Sequence, residues 1–176
     1  MFDPVRFVEQ LPIKEGDVVA DLGSGSGHLV VPIANMVGVH GRVYAVDILE
    51  KKLEAVRGTA KFHSLMNVLT YRADLEADGV LQEFIKSGSA DVAILANVLF
   101  ANGKKEDIIS HAAMILKKQG VLAVVEWKES NLPMAPSKEL LVDPNSVVAL
   151  CEKQGLAHTR DLEVGDCHFG KLFTKK

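Results

Sequence analysis

One run of residues carries most of the chemistry: Asp21-Leu22-Gly23-Ser24-Gly25-Ser26-Gly27, an acid followed by three alternating glycines. Glycines in such a loop let a backbone pass close to a ligand where a Cβ would collide. Two further acids follow strand-like segments, Asp47 after Arg42–Val46 and Asp74 just beyond Val68–Arg72. The glycine spacing separates two ligand classes. A pyrophosphate-binding fingerprint, GxGxxG, would place its third glycine at position 28, which is His28. An acid at position 21 would also repel a pyrophosphate. A carboxylate there suits a ligand with a cationic amino group.

These acids need a scaffold that brings them together. Val18–Leu22, Arg42–Asp47, Val68–Arg72, Asp91–Ala96 and Val121–Trp127 read as strands, and helical spacing separates most of them. Asp91–Ala96 is almost continuously apolar, as a central parallel strand is. Apolar positions recur from Leu29 to Val37 and at Leu49, Leu53, Val56 and Ala60. They recur again at Ile108, Ile109, Ala112, Ile115 and Leu116, a helix expected to close on Lys117, Lys118 and Gly120. A short helix is expected over Val80–Ile85. Asp143-Pro144 opens another, running to about Gln154, with Asp as cap and Pro in the first turn. Leu156–Val164 and Cys167–Thr174 flank Gly165-Asp166, which predicts a tight antiparallel hairpin.

Alternating strands and helices imply a three-layer α/β/α sandwich with right-handed crossovers and a mostly parallel sheet. Ligands bind such sheets at the carboxyl ends of the strands, where Asp21, Asp47 and Asp74 fall.

The motif resembles the first motif of class I S-adenosylmethionine-dependent methyltransferases, with Asp47 and Asp74 matching the acids after their second and third strands. Val125-Glu126-Trp127-Lys128 and His168-Phe169-Gly170 resemble the small methyltransferases related to quinone-biosynthesis and arsenite enzymes. The resemblance implies a Rossmann-like fold with a seven-stranded sheet and an antiparallel terminal element. It implies S-adenosylmethionine as cofactor, held by Asp21, Leu22, Gly23, Ser24, Gly25, Gly27, Asp47, Ile48, Asp74, Leu75 and Asn97. Asp21 would take the methionine amino group, Asp47 the ribose hydroxyls and Asp74 the adenine amino group. Ile48 and Leu75 would sandwich the adenine, and Asn97 would border the sulfonium; its competing reading is a helix-capping Asn. No catalytic residue is assigned; His168 and Glu126 are candidate bases.

At 176 residues the chain is expected to be one domain, 1–176. Its net charge of −3 argues against nucleic acid as the main partner. The start of the chain lacks a signal-peptide pattern, and no apolar run is long enough to span a bilayer. With two cysteines and no CxxC, free thiols in the cytoplasm are expected. The histidines show no metal-ligand spacing, so no metal is expected. The acceptor is expected to be a small molecule, with a protein side chain as the alternative. Asn97-Val98-Leu99-Phe100 lacks the prolines of base- and amide-directed relatives. Two cysteines are too few for an arsenic site. A Pro-containing irregular segment, Glu129–Asp143, is expected to cover the substrate together with Phe2–Gln10. Two rival functions remain at this point: a non-catalytic S-adenosylmethionine-binding partner module, and a nicotinamide oxidoreductase, which His28 and Asp21 disfavour.

Overall fold

A computed structural model describes residues 2–176. Seven strands form one sheet in the order β3-β2-β1-β4-β5-β7-β6. They are β1 (Val18–Leu22), β2 (Arg42–Asp47), β3 (Val68–Arg72), β4 (Ala90–Ala96), β5 (Leu116–Trp127), β6 (Leu156–Leu162) and β7 (His168–Lys175). The helices are α1 (Pro4–Glu9), α2 (Val30–Val37), α3 (Glu50–Phe62), α4 (Lys105–Ile115) and α5 (Pro144–Lys153). β7 alone is antiparallel, inserted between β5 and β6. The expected α/β fold, with its antiparallel terminal element, is the one observed.

The chain reverses direction across the sheet between β1 and β4, which places the switch point where β1 ends in the glycine loop. Core residues lie on both faces. Leu22, Val46, Leu95 and Val124 pack toward α4 and α5, and Val19, Val43, Ile94 and Ala123 toward α1 and α2. That two-sided burial explains why β4 reads as an unbroken apolar run.

The Asp143 cap is as expected, and α1 starts in the same way. Asp3 accepts from Val5 N and Arg6 N at 3.0 and 3.2 Å, and Asp143 accepts from Ser146 N at 2.8 Å. Three boundaries differ from expectation. α4 stops at Ile115, and Lys117 and Lys118 belong to β5 rather than to a helix end. Leu116 is buried and pairs with Ala90, so sheet packing outweighs helical continuation. Lys117 instead meets Asp91 at 2.6 Å. The hairpin is not tight: residues 163–167 separate β6 from β7, and a register shift lies between His158 and Arg160. The Val80–Ile85 helix is a 3-10 turn over Val80–Glu83.

Candidate functional site

Two cavities meet at the carboxyl ends of β1, β2 and β4 and form one trench. One, about 510 Å³, is lined by Asp21, Ser24, Gly25, His28, Phe2 and Ala96 among others. The second, about 170 Å³, is lined by Ile48, Asp74, Leu75, Val98, Ala101 and Asn102 among others. Gly23, Asp47 and Asn97 line both.

The glycine loop is folded onto β2. Gly23 N and Ser24 N both donate to Val46 O, and Gly25 N donates to Asp47 Oδ2 at 2.9 Å. Gly23 has φ +80, and a Cβ there would lie 2.5 Å from Val98 Cγ2, so any side chain would push on the wall of the trench. A Cβ on Gly25 would meet nothing within 4 Å, because this glycine faces open space. Gly27 differs from its expected role. A Cβ there would lie 2.9 Å from Val56 Cγ2, and Gly27 lines neither cavity. Its glycine serves the packing of the loop against α3. Leu22 likewise lines neither cavity, and its side chain is fully buried among the core residues of β2 and β4.

The polar groups of the trench are unequal. Asp47 Oδ1 accepts from Leu49 N at 2.9 Å, so both of its oxygens are fixed by backbone. Each oxygen keeps a second lone pair for a hydroxyl donor. Asp74 is exposed, with one oxygen on Glu76 N at 2.9 Å. Asp21 is 1% exposed, and its Oδ2 has no partner among the described residues. Burial first, and the Asp47 charge second, push its carboxyl up to about 7. Ser24 Oγ and Asn97 Oδ1 are also buried without partners. Asn97 adopts φ +58, a left-handed conformation that Asn tolerates better than most residues. It does not cap a helix: the following 3-10 turn begins at Leu99.

The walls are held by residues the sequence reading did not place. Glu76 Oε1 accepts from Gly103 N and Lys104 N at 2.7 and 2.9 Å, tying the β3 loop to the β4 loop. Buried His111 donates through Nδ1 to Leu75 O at 2.9 Å, fixing the residue expected to cover the adenine. Glu126 is wholly buried, and its Oε1 accepts from Val98 N and Leu99 N at 2.9 and 2.6 Å. Burial outweighs these bonds and raises its carboxyl to about 7. Glu126 lines none of the cavities described here, so it shapes the β4 loop and is not placed to act as a base. No sequence pattern marks such contacts, because each joins residues 27 or more positions apart.

The other candidate base, His168, opens β7 beside Trp127 at the end of β5. Phe2 and Pro4 line the trench as expected for a covering segment. The Glu129–Asp143 segment does not reach it; it lines a separate cavity of about 330 Å³ with Trp127 and Phe169. Cys151 is buried and Cys167 half-buried, both as free thiols. No group of three or more metal-ligating side chains occurs among the described residues.

A mostly parallel sheet with a glycine loop at its switch point and acids at three successive strand ends defines a class: an α/β domain with a ligand crevice at the carboxyl edge of its sheet. The comparisons identify the family. The family described as "Methyltransferase domain" matches residues 13–164, and the chain belongs to it. It is 38% identical over 71 residues to the "Probable cobalt-precorrin-6B C(15)-methyltransferase (decarboxylating)" of Saccharolobus solfataricus, covering 40% of this chain and 36% of that protein. It is 31% identical over 112 residues to "Aklanonic acid methyltransferase DauC" of a Streptomyces species, covering 62% and 51%. The chain thus spans about half or less of these relatives. The fold matches that of a SAM-dependent methyltransferase from Aquifex aeolicus with a TM-score of 0.87 at 23% identity, over 99% of this chain and 90% of that one.

S-adenosylmethionine is the cofactor of this class, and the donor set fits it. The unpartnered oxygens of Asp21 and Asn97 suit an ammonium. Asp47 suits paired hydroxyls, and Asp74 between Ile48 and Leu75 suits an amino-bearing ring.

Proposed function

We propose that this chain transfers the methyl group of S-adenosylmethionine to a small-molecule acceptor in the cytoplasm. The observation that carries the reading is the concentration of unpartnered buried oxygens of Asp21, Ser24 and Asn97 in a trench that also holds Asp47 and Asp74. A buried polar atom without a partner costs about 1–3 kcal/mol, so three in one cavity call for a polar ligand.

When bound, the cofactor supplies a methyl group already activated by its sulfonium. The chain's residues do the rest. Asp21 loses its proton on meeting a cationic amino group and becomes its counter-charge. Asp47 fixes the ribose and, through Gly25 N, the loop around it. Phe2, Leu29 and Ala96 supply apolar wall and exclude water. Alignment of this kind contributes about 7–11 kcal/mol in favourable systems, so no covalent residue is required.

Within this reading, Asp21, Gly23, Ser24, Gly25, Asp47, Ile48, Asp74, Leu75 and Asn97 contact the cofactor, and Leu22 and Gly27 support it from behind. A small acceptor is favoured by the neighbouring cavities at the ends of β5 and β7, and the net charge of −3 disfavours nucleic acid. Among the described residues no helix is long and apolar enough to cross a membrane. The free cysteines favour a reducing compartment. The test is transfer of a labelled methyl group into cell extract fractionated by size. Label in the small-molecule fraction is expected. Label confined to macromolecules would overturn the acceptor assignment, and no label in any fraction would favour a binding module.

A further inference from the structure

His168 poses a separate problem. It is 4% exposed, and among the described residues neither Nδ1 nor Nε2 has a hydrogen-bond partner. A neutral imidazole carries one N–H and one lone pair, and burying both unmet is costly. Its ring packs against Trp127, centroids 4.2 Å apart at 38°, and against Phe2, 5.6 Å apart at 45°. Phe2 is the shared element. It is half-buried, it touches His168, and it lines the trench beside Asp21, Ala96 and Asn97. A planar ring therefore stands between the sulfonium end of the trench and an imidazole with two unmet valences. His168 also lines a cavity of about 740 Å³.

Resting on the methyltransferase reading above, we propose that the place of the Phe2 ring is the acceptor site, and that a planar hydroxylated acceptor, a phenol or an enol, displaces Phe2 and gives its proton to His168. The acceptor oxygen forms its bond to the methyl carbon as the C–S bond breaks, that electron pair going to sulfur. The O–H proton moves to the imidazole lone pair, and the imidazolium later releases it to water. Burial foremost, with Lys128 adding, holds the imidazole below its ordinary range, so it is neutral and ready to accept. The charged groups facing its cavity are Lys128 after β5, Asp3 and Arg6 at α1, Asp161 of β6, Lys171 of β7, and Glu163 and Asp166 between β6 and β7. Arg6 and Glu163 pair at 3.0 Å, and Asp3 is engaged as the cap of α1.

The probe is catechol, added to the full chain saturated with S-adenosylhomocysteine and carrying ¹⁵N-labelled histidine. The His168 ring resonances are expected to shift saturably, and Phe2→Ala is expected to raise catechol affinity several-fold. With labelled S-adenosylmethionine, His168→Phe is expected to lower kcat on catechol by about 100-fold or more. S-adenosylhomocysteine affinity should stay within about twofold, since a change in the base leaves cofactor contacts intact. The variant's rate should then climb about tenfold per pH unit toward the phenol's own pKa, because the reacting phenolate must form unaided. His168→Gln, which keeps a polar group but takes no proton, should lose kcat and keep KM. Unmoved His168 resonances, or wild-type kcat in His168→Phe, with S-adenosylhomocysteine still bound, would overturn the acceptor site alone. Failure of S-adenosylhomocysteine to bind would instead remove the methyltransferase reading beneath it.

Discussion

The two edges of the sheet carry similar polar residues and treat them oppositely. At the amino edge Asp91, Asn67 and Asp17 are each met. Asp91 accepts from Val18 N at 2.9 Å and from Lys117 Nζ at 2.6 Å. Asn67 donates to Ala34 O and Gly38 O at 2.9 and 2.8 Å, and Asp17 accepts from Lys14 N at 2.8 Å. At the carboxyl edge Asp21, Ser24, Asn97, Glu126 and His168 all bury atoms with no partner. Among the described residues one other such side chain occurs, Gln82. A polar group that is met stabilises the fold by itself. One that is unmet costs stability until a ligand arrives. The contrast locates function at the carboxyl edge without reference to any relative.

The contrast can be broken by substitution. Asp47→Ala should weaken S-adenosylhomocysteine binding by about 100-fold or more by calorimetry, since it removes hydroxyl contacts and frees the glycine loop together. Retained affinity would remove the ribose assignment. Glu126→Leu should raise KM for the cofactor by about tenfold as Val98 and Leu99 lose their acceptor, and Glu126→Gln, which still offers an oxygen, should recover most of it. Equal effects of the two would mean that the β4 loop holds its shape unaided.

Smaller effects lie in pH. Asp21 titrates near 7 in the folded chain, above its ordinary 3.8, so its protonated form favours folding. That contribution is complete below about pH 4 and is lost as pH rises through 7. Glu126 acts in the same direction. The free protein should therefore melt several degrees lower at pH 8 than at pH 5, and Asp21→Asn should flatten the difference. A wild-type melting temperature that rises over this range would contradict the account of Asp21. The smallest expected effect belongs to the amino edge: Asn67→Ala should cost about 1–2 kcal/mol in denaturant melts and leave S-adenosylhomocysteine affinity unchanged.

Local chemistry was legible in the sequence, and distant pairing was not. The acid-led glycine loop, Asp47 and Asp74 are each read from a few neighbouring residues, and all three line the trench. Motif membership does not say which way a residue faces, and Leu22 and Gly27 line neither cavity. Leu22 turns into the core, and Gly27 yields to Val56 of α3. Lys117 and Lys118 mimic a helix end, and only the pairing of Leu116 with Ala90 shows that the strand has already begun. Glu126 reads in the sequence as a candidate base. Its actual partners, Val98 and Leu99, become visible only once β4 and β5 lie side by side.

The most direct measurement is calorimetric titration of the wild-type chain with S-adenosylhomocysteine at pH 6 in two buffers of different ionisation enthalpy, with NAD as the control. The account predicts one site, proton release as the ligand's ammonium ionises Asp21, and no binding of NAD. A site that takes NAD and leaves S-adenosylhomocysteine free in solution would contradict it.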